Sequence, residues 1–243
     1  MLNPAPTLVY SLLIMLPMLA TAIALWAGGW LRRLYVLAAR VLLGAFMLGG
    51  GLYKLSDNHL HGLMGPPMDH AFLAKNGLEI FAQFVGVAQL IIGLLLLTGR
   101  FALLGALMLV PMWLGIIMLT WSQHWVGTPY LTTGFLVLTL GLLLHDYQRL
   151  KYLLYPPAEP EIIRAVPVRT GPRGAELLWW LGVAVFMGGS LLYPISLAVM
   201  EGTMLAGLAL LLGAGGWLWQ YRKAAAGISS GATPAAAPLQ RSE

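Results

Sequence analysis

The sequence predicts an all-α polytopic membrane protein with about seven transmembrane helices. Of its 243 residues, 59% are hydrophobic and only 9% are charged, and the mean hydropathy is +0.79. A soluble domain carries roughly a quarter charged residues, so this chain has too few to cover a water-facing surface. Its apolar residues also fall into runs of about 20, the length that an α-helix needs to cross a bilayer.

Seven runs meet this length requirement: Leu8–Trp30, Leu34–Leu55, Leu78–Leu97, Phe101–Trp121, Pro129–His145, Glu176–Met200 and Thr203–Tyr221. Only the dipeptide "EG" separates the last two, which predicts a tight helical hairpin that turns at Glu201. Residues 1–30 contain no Lys or Arg, so the first run lacks the basic segment of a signal peptide. The small residues of "LATAIA" leave cleavage there as the alternative.

The distribution of basic residues predicts the orientation of these spans. Two basic residues, Lys54 and Lys75, fall at one set of span ends. The other twelve of the 14 fall at the opposite set: Arg32, Arg33, Arg40, Arg100, Arg149, Lys151, Arg164, Arg169, Arg173, Arg222, Lys223 and Arg241. Because basic loops stay on the cytoplasmic side, we expect the N-terminus outside and the C-terminus inside.

The Pro-rich linker divides the spans into two parts, a five-helix block at residues 1–147 and a two-helix part after it. The Pro-rich stretch 148–175 reads as an extended cytoplasmic linker, and 176–221 as a C-terminal transmembrane hairpin. Residues 222–243 are small and polar, which is typical of a disordered cytoplasmic tail.

Several kinds of chemistry are excluded by residue content. The chain has no cysteine, so disulfides, thiolate metal sites and CxxC redox chemistry are ruled out. It also lacks a P-loop, a GxSxG elbow and an HExxH motif. Redox work would therefore need a bound cofactor, a quinone, or a metal held by His, Met and carboxylates. The net charge of +5 reports membrane topology, and we expect no nucleic-acid partner.

The second span carries a basic residue near each end. Arg40 and Lys54 are 14 residues apart, nearly four helical turns, so they share one face with Gly44, Met47 and Gly51. A glycine-lined face is typical of close helix packing in membranes. Either both cations extend to the headgroups on their own sides, or they hold an anionic or quinone-like ligand.

The third span begins with a carboxylate at the depth of Lys54. Glu79 and Gln83 are predicted on one face, and an ion pair between Glu79 and Lys54 follows if the two helices are neighbours. Tyr53 adds a phenol to this group, and Gln89, nearer mid-membrane, is expected to form a hydrogen bond across helices. The pair is either structural, with Glu79 favoured at a helix N-terminus, or functional, with Glu79 and Lys54 catalytic and Arg40, Tyr53 and Gln83 binding a ligand.

The outward loop "SDNHLHGLMGPPMDH" collects imidazole and thioether groups. Imidazole with thioether suits copper, whereas imidazole with carboxylate suits zinc or iron. A copper-like site is one hypothesis, and solvated histidines are the other; the candidate ligands are His59, His61, His70 and His124. At the other side, His145 and Asp146 either cap the fifth span or relay protons. Seven of the tryptophans, including Trp113, Trp179 and Trp219, are expected in interfacial belts.

Two stretches resemble the DoxX-like family. "ARVLLGAFMLGGGLYKL" looks like the first helix of that family, with an arginine, an apolar glycine-containing run, and Gly and Lys at the far end. "LEIFAQFVGVAQLIIGLLLLTGRFALLGALML" is similar to the next part, with a glutamate at the helix start and a Gly–Arg turn before the third helix. The resemblance covers residues 40–146 and places Arg40, Lys54, Glu79 and Arg100 at the family's pattern positions.

The resemblance implies a compact DoxX-like four-helix membrane bundle at residues 34–147, with residues 1–33 as an extra N-terminal transmembrane helix. We expect the protein in the bacterial inner membrane. Named members accompany thiosulfate:quinone oxidoreductase or quinol-oxidase systems. It therefore implies a quinone-linked redox protein, or a membrane subunit of a respiratory-type oxidoreductase, that works with other membrane subunits or as a homo-oligomer. If the chain is an enzyme, it is a quinone-dependent oxidoreductase. The alternatives are a non-enzymatic accessory or assembly subunit and a small-solute or metal transporter.

Overall fold

The computed structural model describes residues 4–57, 59–60, 70–99, 101–154 and 172–231, and within them it is helical, without strands. The α-helices are α1 (Pro4–Ala27), α2 (Gly29–Leu55), α3 (His70–Asn76), α4 (Glu79–Thr98), α5 (Ala102–Ser122), α6 (Thr128–His145), α7 (Tyr147–Leu154), α8 (Arg173–Gly189) and α9 (Leu197–Gly231). All but α3 and α7 contain a segment long and apolar enough to cross a membrane. The predicted seven-span membrane fold is confirmed.

The first two spans meet at a sharper turn than the sequence predicted. Helix α1 ends at Ala27 and α2 begins at Gly29, so the break falls at Gly28 rather than between residues 30 and 34. Gly28 and Gly29 both have positive φ angles, 63° and 51°, which side chains strongly disfavour. Two adjacent glycines let the chain reverse direction within a single residue.

The C-terminal hairpin turns earlier than predicted. Helix α8 passes into a 3₁₀ turn at Ser190–Leu192, and α9 begins at Leu197. Glu201 therefore lies inside α9, and the prediction of a turn at Glu201 was wrong. The reason is Pro194, which has no amide hydrogen and so cannot continue the helical hydrogen-bond pattern; the reversal takes place at residues 193–196.

The segments predicted to be irregular begin with helix. Helix α7 occupies Tyr147–Leu154, at the start of the predicted linker, and α9 continues to Gly231, into the predicted tail. Residues 155–171 and 232–243 lie outside the described part, so the rest of both predictions stays untested. The division of the chain into five segments likewise stays a prediction.

Helices α2 and α4 pack antiparallel with glycine against glycine. A Cβ added at Gly51 would lie 2.8 Å from the carbonyl oxygen of Gly86, and one added at Gly93 would lie 2.8 Å from that of Gly44. These glycines let the two backbones approach directly, as small residues do between membrane helices. The α2–α4 seam is therefore filled by backbone and leaves no space for a ligand along this stretch.

Helix α2 separates two apolar cores. The first core joins α2 to α4, α5 and α6, and includes Leu43, Met47 and Trp113. Trp113 is fully buried and donates to the Thr139 hydroxyl at 3.1 Å, so its predicted place in an interfacial belt was wrong. The second core joins α2 and α4 to the α8–α9 hairpin through Ala45, Leu48 and Leu97, among others. The hairpin is thus packed directly on the bundle.

Because successive spans run in opposite directions, the connections collect at two ends. We call the end with residues 70–78, 123–127 and 193–196 the loop end, and the end with residues 28–33, 145–149 and 172–173 the arginine-rich end. Helix α1 packs along α6 at Gly134 and Gly141, with most of its surface left exposed. An apolar exposed face of this kind faces lipid.

Candidate functional site

The predicted site residues fall at two ends of α2. Arg40 lies toward the arginine-rich end and Lys54 near the loop end, 14 residues and so roughly 21 Å apart along the helix. The loop end, where Lys54 lies, also holds Tyr53, Glu79, Gln83 and the described histidines His59, His70 and His124. The structure therefore places most of the predicted residues at the loop end of the molecule and places Arg40 toward the opposite end.

Lys54 is held by an amide rather than by a carboxylate. Its Nζ donates to Gln89 Oε1 at 3.2 Å, and Gln89 is only 3% exposed. The predicted cross-helix hydrogen bond of Gln89 is confirmed. Gly50 and Gly86 make room for this pair, since a Cβ at Gly50 would lie 3.3 Å from Gln89 Oε1 and one at Gly86 would lie 3.2 Å from Lys54 Cβ.

The expected ion pair between Lys54 and Glu79 is not formed within the described residues. Glu79 and Gln83 are both exposed, and the buried face of α4 contains Gln89 instead. Side chains on a helix lean toward its N-terminus. Lys54, at the end of α2, therefore leans into the membrane, whereas Glu79, at the start of antiparallel α4, leans away from it.

Tyr53 is the other polar side chain that α2 buries at the loop end. It is 6% exposed, and its phenol is close enough to that of Tyr193 for the two to interact electrostatically. Tyr193 belongs to the turn of the α8–α9 hairpin. The turn of the hairpin therefore lies at the same end of the molecule as Tyr53, and the assignment of Tyr53 as a ligand-binding residue stays a prediction.

Those candidate metal ligands that the structure describes do not form one cluster. His59 Nδ1 lies 2.8 Å from the Ser56 carbonyl oxygen, and His70 Nε2 lies 2.6 Å from Asp57 Oδ1. His124 is exposed, and His61 lies outside the described residues. Among the residues that are described, no three His, Asp or Glu side chains are grouped closely enough to hold a metal. The copper-like site stays a prediction that rests on the loop sequence.

At the arginine-rich end, Arg40 is paired across the bundle. Its Nη2 donates to Asp146 Oδ2 at 3.0 Å, and Arg149 Nη1 lies 3.6 Å from the other oxygen of Asp146. The side chain of Asp146 is 11% exposed and that of Arg40 is 23% exposed. One carboxylate thus fixes the position of the Arg40 guanidinium, as charge-assisted hydrogen bonds do. Arg100 lies outside the described residues.

A cavity of about 750 Å³ opens beside Arg40. Its walls come from α2, the ends of α4 and α6, and the hairpin helices. They combine aromatic rings, basic groups and glycines, notably Trp30, Arg33, Arg40, His145, Trp179, Gly216 and Trp219. This volume lies within the range of ligand sites, which are mostly apolar with a few converging polar groups.

One polar atom in the cavity wall has no partner. His145 Nδ1 is buried and makes no hydrogen bond with any described residue. A buried polar atom is normally satisfied, because leaving it unpaired costs about 1–3 kcal/mol. His145 and Arg40 both line the cavity, so an imidazole with an unsatisfied nitrogen and a guanidinium belong to the same site.

A comparison with known families identifies part of the chain. Residues 35–125 match the profile of the DoxX family, a stretch that covers α3, α4, α5 and most of α2. These residues form a DoxX domain. The expected family resemblance is confirmed over these residues, and the seven candidate spans make the protein an integral membrane protein with a DoxX-like region. No curated protein and no solved structure matches the chain.

The cavity lies at the border of the DoxX domain. The domain supplies Leu37, Arg40 and Leu96, whereas Trp30 and His145 flank it in the chain. The remaining wall comes from the α8–α9 hairpin, which begins almost fifty residues after the match ends. The cavity thus depends on segments that the DoxX domain alone does not contain.

Sequence reasoning missed most of this cavity. Trp179 and Trp219 were predicted to lie in an interfacial belt. Arg33 was used only to predict the orientation of the spans in the membrane. Gly216 gave no signal, because its place in the wall depends on how α9 docks on α2. Only Arg40 and the two alternatives for His145 pointed toward the site.

Proposed function

We propose that this DoxX-like protein binds the head group of a membrane quinone in the cavity at its arginine-rich end and serves as the membrane subunit of a quinone-linked oxidoreductase. The observation that carries the proposal is a cavity with aromatic walls that is also lined by Arg40 and by His145, whose Nδ1 has no hydrogen-bond partner among the described residues. A quinone head has carbonyl oxygens that accept hydrogen bonds and a flat ring that stacks on indole.

The side chains of the wall match these two requirements. Arg40 keeps guanidinium donors beyond the one that Asp146 accepts, and a protonated His145 Nδ1 would donate to a carbonyl oxygen. Trp30, Trp179 and Trp219 supply flat apolar surfaces, and ring stacking adds about 0.5–1.5 kcal/mol beyond burial. Leu34 and Leu37, also in the wall, suit the first units of an isoprenoid tail.

Within this proposal, electrons come from a partner subunit. The side chains of the cavity can bind and orient a quinone, and we assign the chain this binding and positioning role. The protein then resides in the bacterial inner membrane with its loop end outside, as the distribution of basic residues predicts.

The packed α2–α4 seam argues against placing the quinone between those two helices, beside Lys54. Gly51 and Gly86, and Gly44 and Gly93, are in backbone contact there, and Glu79 is turned outward. We therefore infer that Lys54 and Gln89 stabilise the bundle. A purely structural accessory subunit and a transporter are the competing functions.

Quinone binding by the purified full-length protein tests the proposal. Wild-type protein in detergent, stripped of lipid, is titrated with a short-tailed quinone, and tryptophan fluorescence quenching reports binding. We expect His145→Ala to weaken binding at least fivefold and Trp30→Leu at least threefold. Trp26→Leu is the matched control, because Trp26 is also exposed near this end of the molecule but does not line the cavity.

The outcomes separate the competing functions. Saturable quinone binding that His145→Ala weakens supports the proposal. Absence of saturable binding to wild-type protein favours a purely structural subunit and overturns it. Equal losses in Trp30→Leu and Trp26→Leu would show that the quenching comes from the micelle surface, which also contradicts binding in the cavity.

A further inference from the structure

The α8–α9 hairpin is in close contact with α2 at Gly215. A Cβ added at Gly215 would lie 2.6 Å from a side-chain carbon of Leu37, so position 215 cannot hold a larger residue without a shift of Leu37. This close contact brings α9 against the DoxX domain. It fixes the distance between the two walls of the cavity.

The next residue lines the cavity without filling it. Gly216 belongs to the wall, yet a Cβ added there would meet nothing within 4 Å. Residues three and four apart share a helix face, so Gly216 lies on the face of α9 that carries Trp219 and Gln220, which also line the cavity. A side chain at 216 would therefore extend into open space on the face of α9 that lines the cavity.

We propose that Gly216 is the residue that determines how large a head group the cavity accepts, an inference that rests on the proposed function. The missing side chain leaves room for a two-ring naphthoquinone head between the hairpin and α2. A larger residue at 216 narrows the cavity to the width of a one-ring benzoquinone head. The specificity of the site is thus set by the hairpin and not by the DoxX domain.

The test compares two quinones on two glycine variants of the full-length protein. Gly216→Leu and Gly213→Leu both replace a glycine of α9 whose Cβ position is open, and both gain a similar helix propensity. Gly213 is exposed and lies outside the cavity wall, so it is the matched control. Short-tailed naphthoquinone and benzoquinone are titrated separately by tryptophan quenching, with thermal unfolding as a check of folding.

We expect Gly216→Leu to weaken naphthoquinone binding at least tenfold and benzoquinone binding at most threefold. Gly213→Leu should leave both within twofold, and Gly216→Ala should give an intermediate loss for naphthoquinone. If wild type binds quinone but Gly216→Leu weakens both quinones equally, or neither, the specificity proposal is wrong while the proposed function stands. If wild type binds neither quinone, both are overturned.

Discussion

At the scale of single residues, the polar groups of α2 differ in what satisfies them. Lys54 donates to the amide of Gln89, whereas Arg40 donates to the carboxylate of Asp146. Hydrogen bonds between side chains inside a membrane average about 0.6 kcal/mol and reach about 1.7 kcal/mol. Because the Arg40–Asp146 bond joins two opposite charges, we expect it to stabilise the fold more than the Lys54–Gln89 bond does.

The Lys54–Gln89 bond predicts coupling between the two positions. Gln89→Leu leaves the Lys54 amine without its acceptor, so we expect a loss of about 1 kcal/mol in the free energy of unfolding. Adding Lys54→Met removes the stranded amine and should restore part of that loss. Unfolding in mixed micelles measures the full double-mutant cycle. Effects that add within about 0.3 kcal/mol would show that the bond has no stabilising role.

The Arg40–Asp146 pair predicts a larger cost for removing one charge. Asp146→Asn leaves a partly buried guanidinium without its counter-charge, and we expect a loss of about 2 kcal/mol. Asp57→Asn is the control, because Asp57 and its partner His70 are 64% and 57% exposed and exposed pairs contribute little. Unfolding free energies of both variants in micelles provide the check. A loss in Asp146→Asn no greater than in Asp57→Asn would contradict the assigned role of the pair.

Residue-level prediction succeeded where a helical pattern was enough. The spacing in α4 placed Gln89 deep in the membrane, and its cross-helix bond is present. The direction in which Lys54 and Glu79 lean depends on the antiparallel packing of two helices, so their pairing was predicted wrongly. Asp146 is 106 residues from Arg40 in the chain, and no local pattern links them.

At the scale of helices, glycines determine how closely α2 and α4 pack. Gly93→Ala would put a methyl group 2.8 Å from the Gly44 carbonyl oxygen, so the helices must separate. We expect a loss of at least about 1 kcal/mol in unfolding free energy. Gly115→Ala in α5 is the control, since its Cβ meets nothing within 4 Å and alanine favours helix.

One outcome for Gly93→Ala and Gly115→Ala would contradict the direct packing of α2 against α4. Equal stability of Gly93→Ala and Gly115→Ala in the same micelles would mean that α2 and α4 do not pack by direct backbone contact. The space between them would then be open to a ligand, and the argument against a site beside Lys54 would fail.

Helix positions were predicted from the sequence more reliably than the turns between them. Apolar length alone located all seven spans, because each must match the thickness of the bilayer. The turn of the hairpin was placed at Glu201, because a charged residue beside glycine interrupts an apolar run. The turn forms at Pro194 instead, because a proline lacks the amide hydrogen that the next helical hydrogen bond needs, whereas one charged residue can remain within a helix.

At the scale of the whole molecule, the two ends should lie on opposite sides of the membrane. The chain has no cysteine, so single cysteines can be introduced without a background. We expect a membrane-impermeant maleimide to label Ser122→Cys, near the loop end, in intact bacterial cells. Gln148→Cys, at the arginine-rich end, should react only after the cells are permeabilised. The reverse pattern would place the arginine-rich end outside.

The fold and the cavity differ in how far the sequence could predict them. The DoxX domain and its flanking spans follow from composition and motif. The cavity arises where the α8–α9 hairpin docks on α2, which is a long-range contact between apolar faces without a distinctive pattern. The hairpin thereby adds to the DoxX domain a feature that the family resemblance does not imply.

Photolabelling with an azidoquinone tests most directly whether the quinone head lies at the arginine-rich end. The full-length protein is irradiated with the probe, and labelled peptides are mapped by mass spectrometry. We predict adducts on residues 30–40 of α2 and residues 215–220 of α9, with competition by unlabelled quinone. Competable adducts at Tyr53, Lys54 or the neighbouring loop, with none around Arg40, would contradict the account.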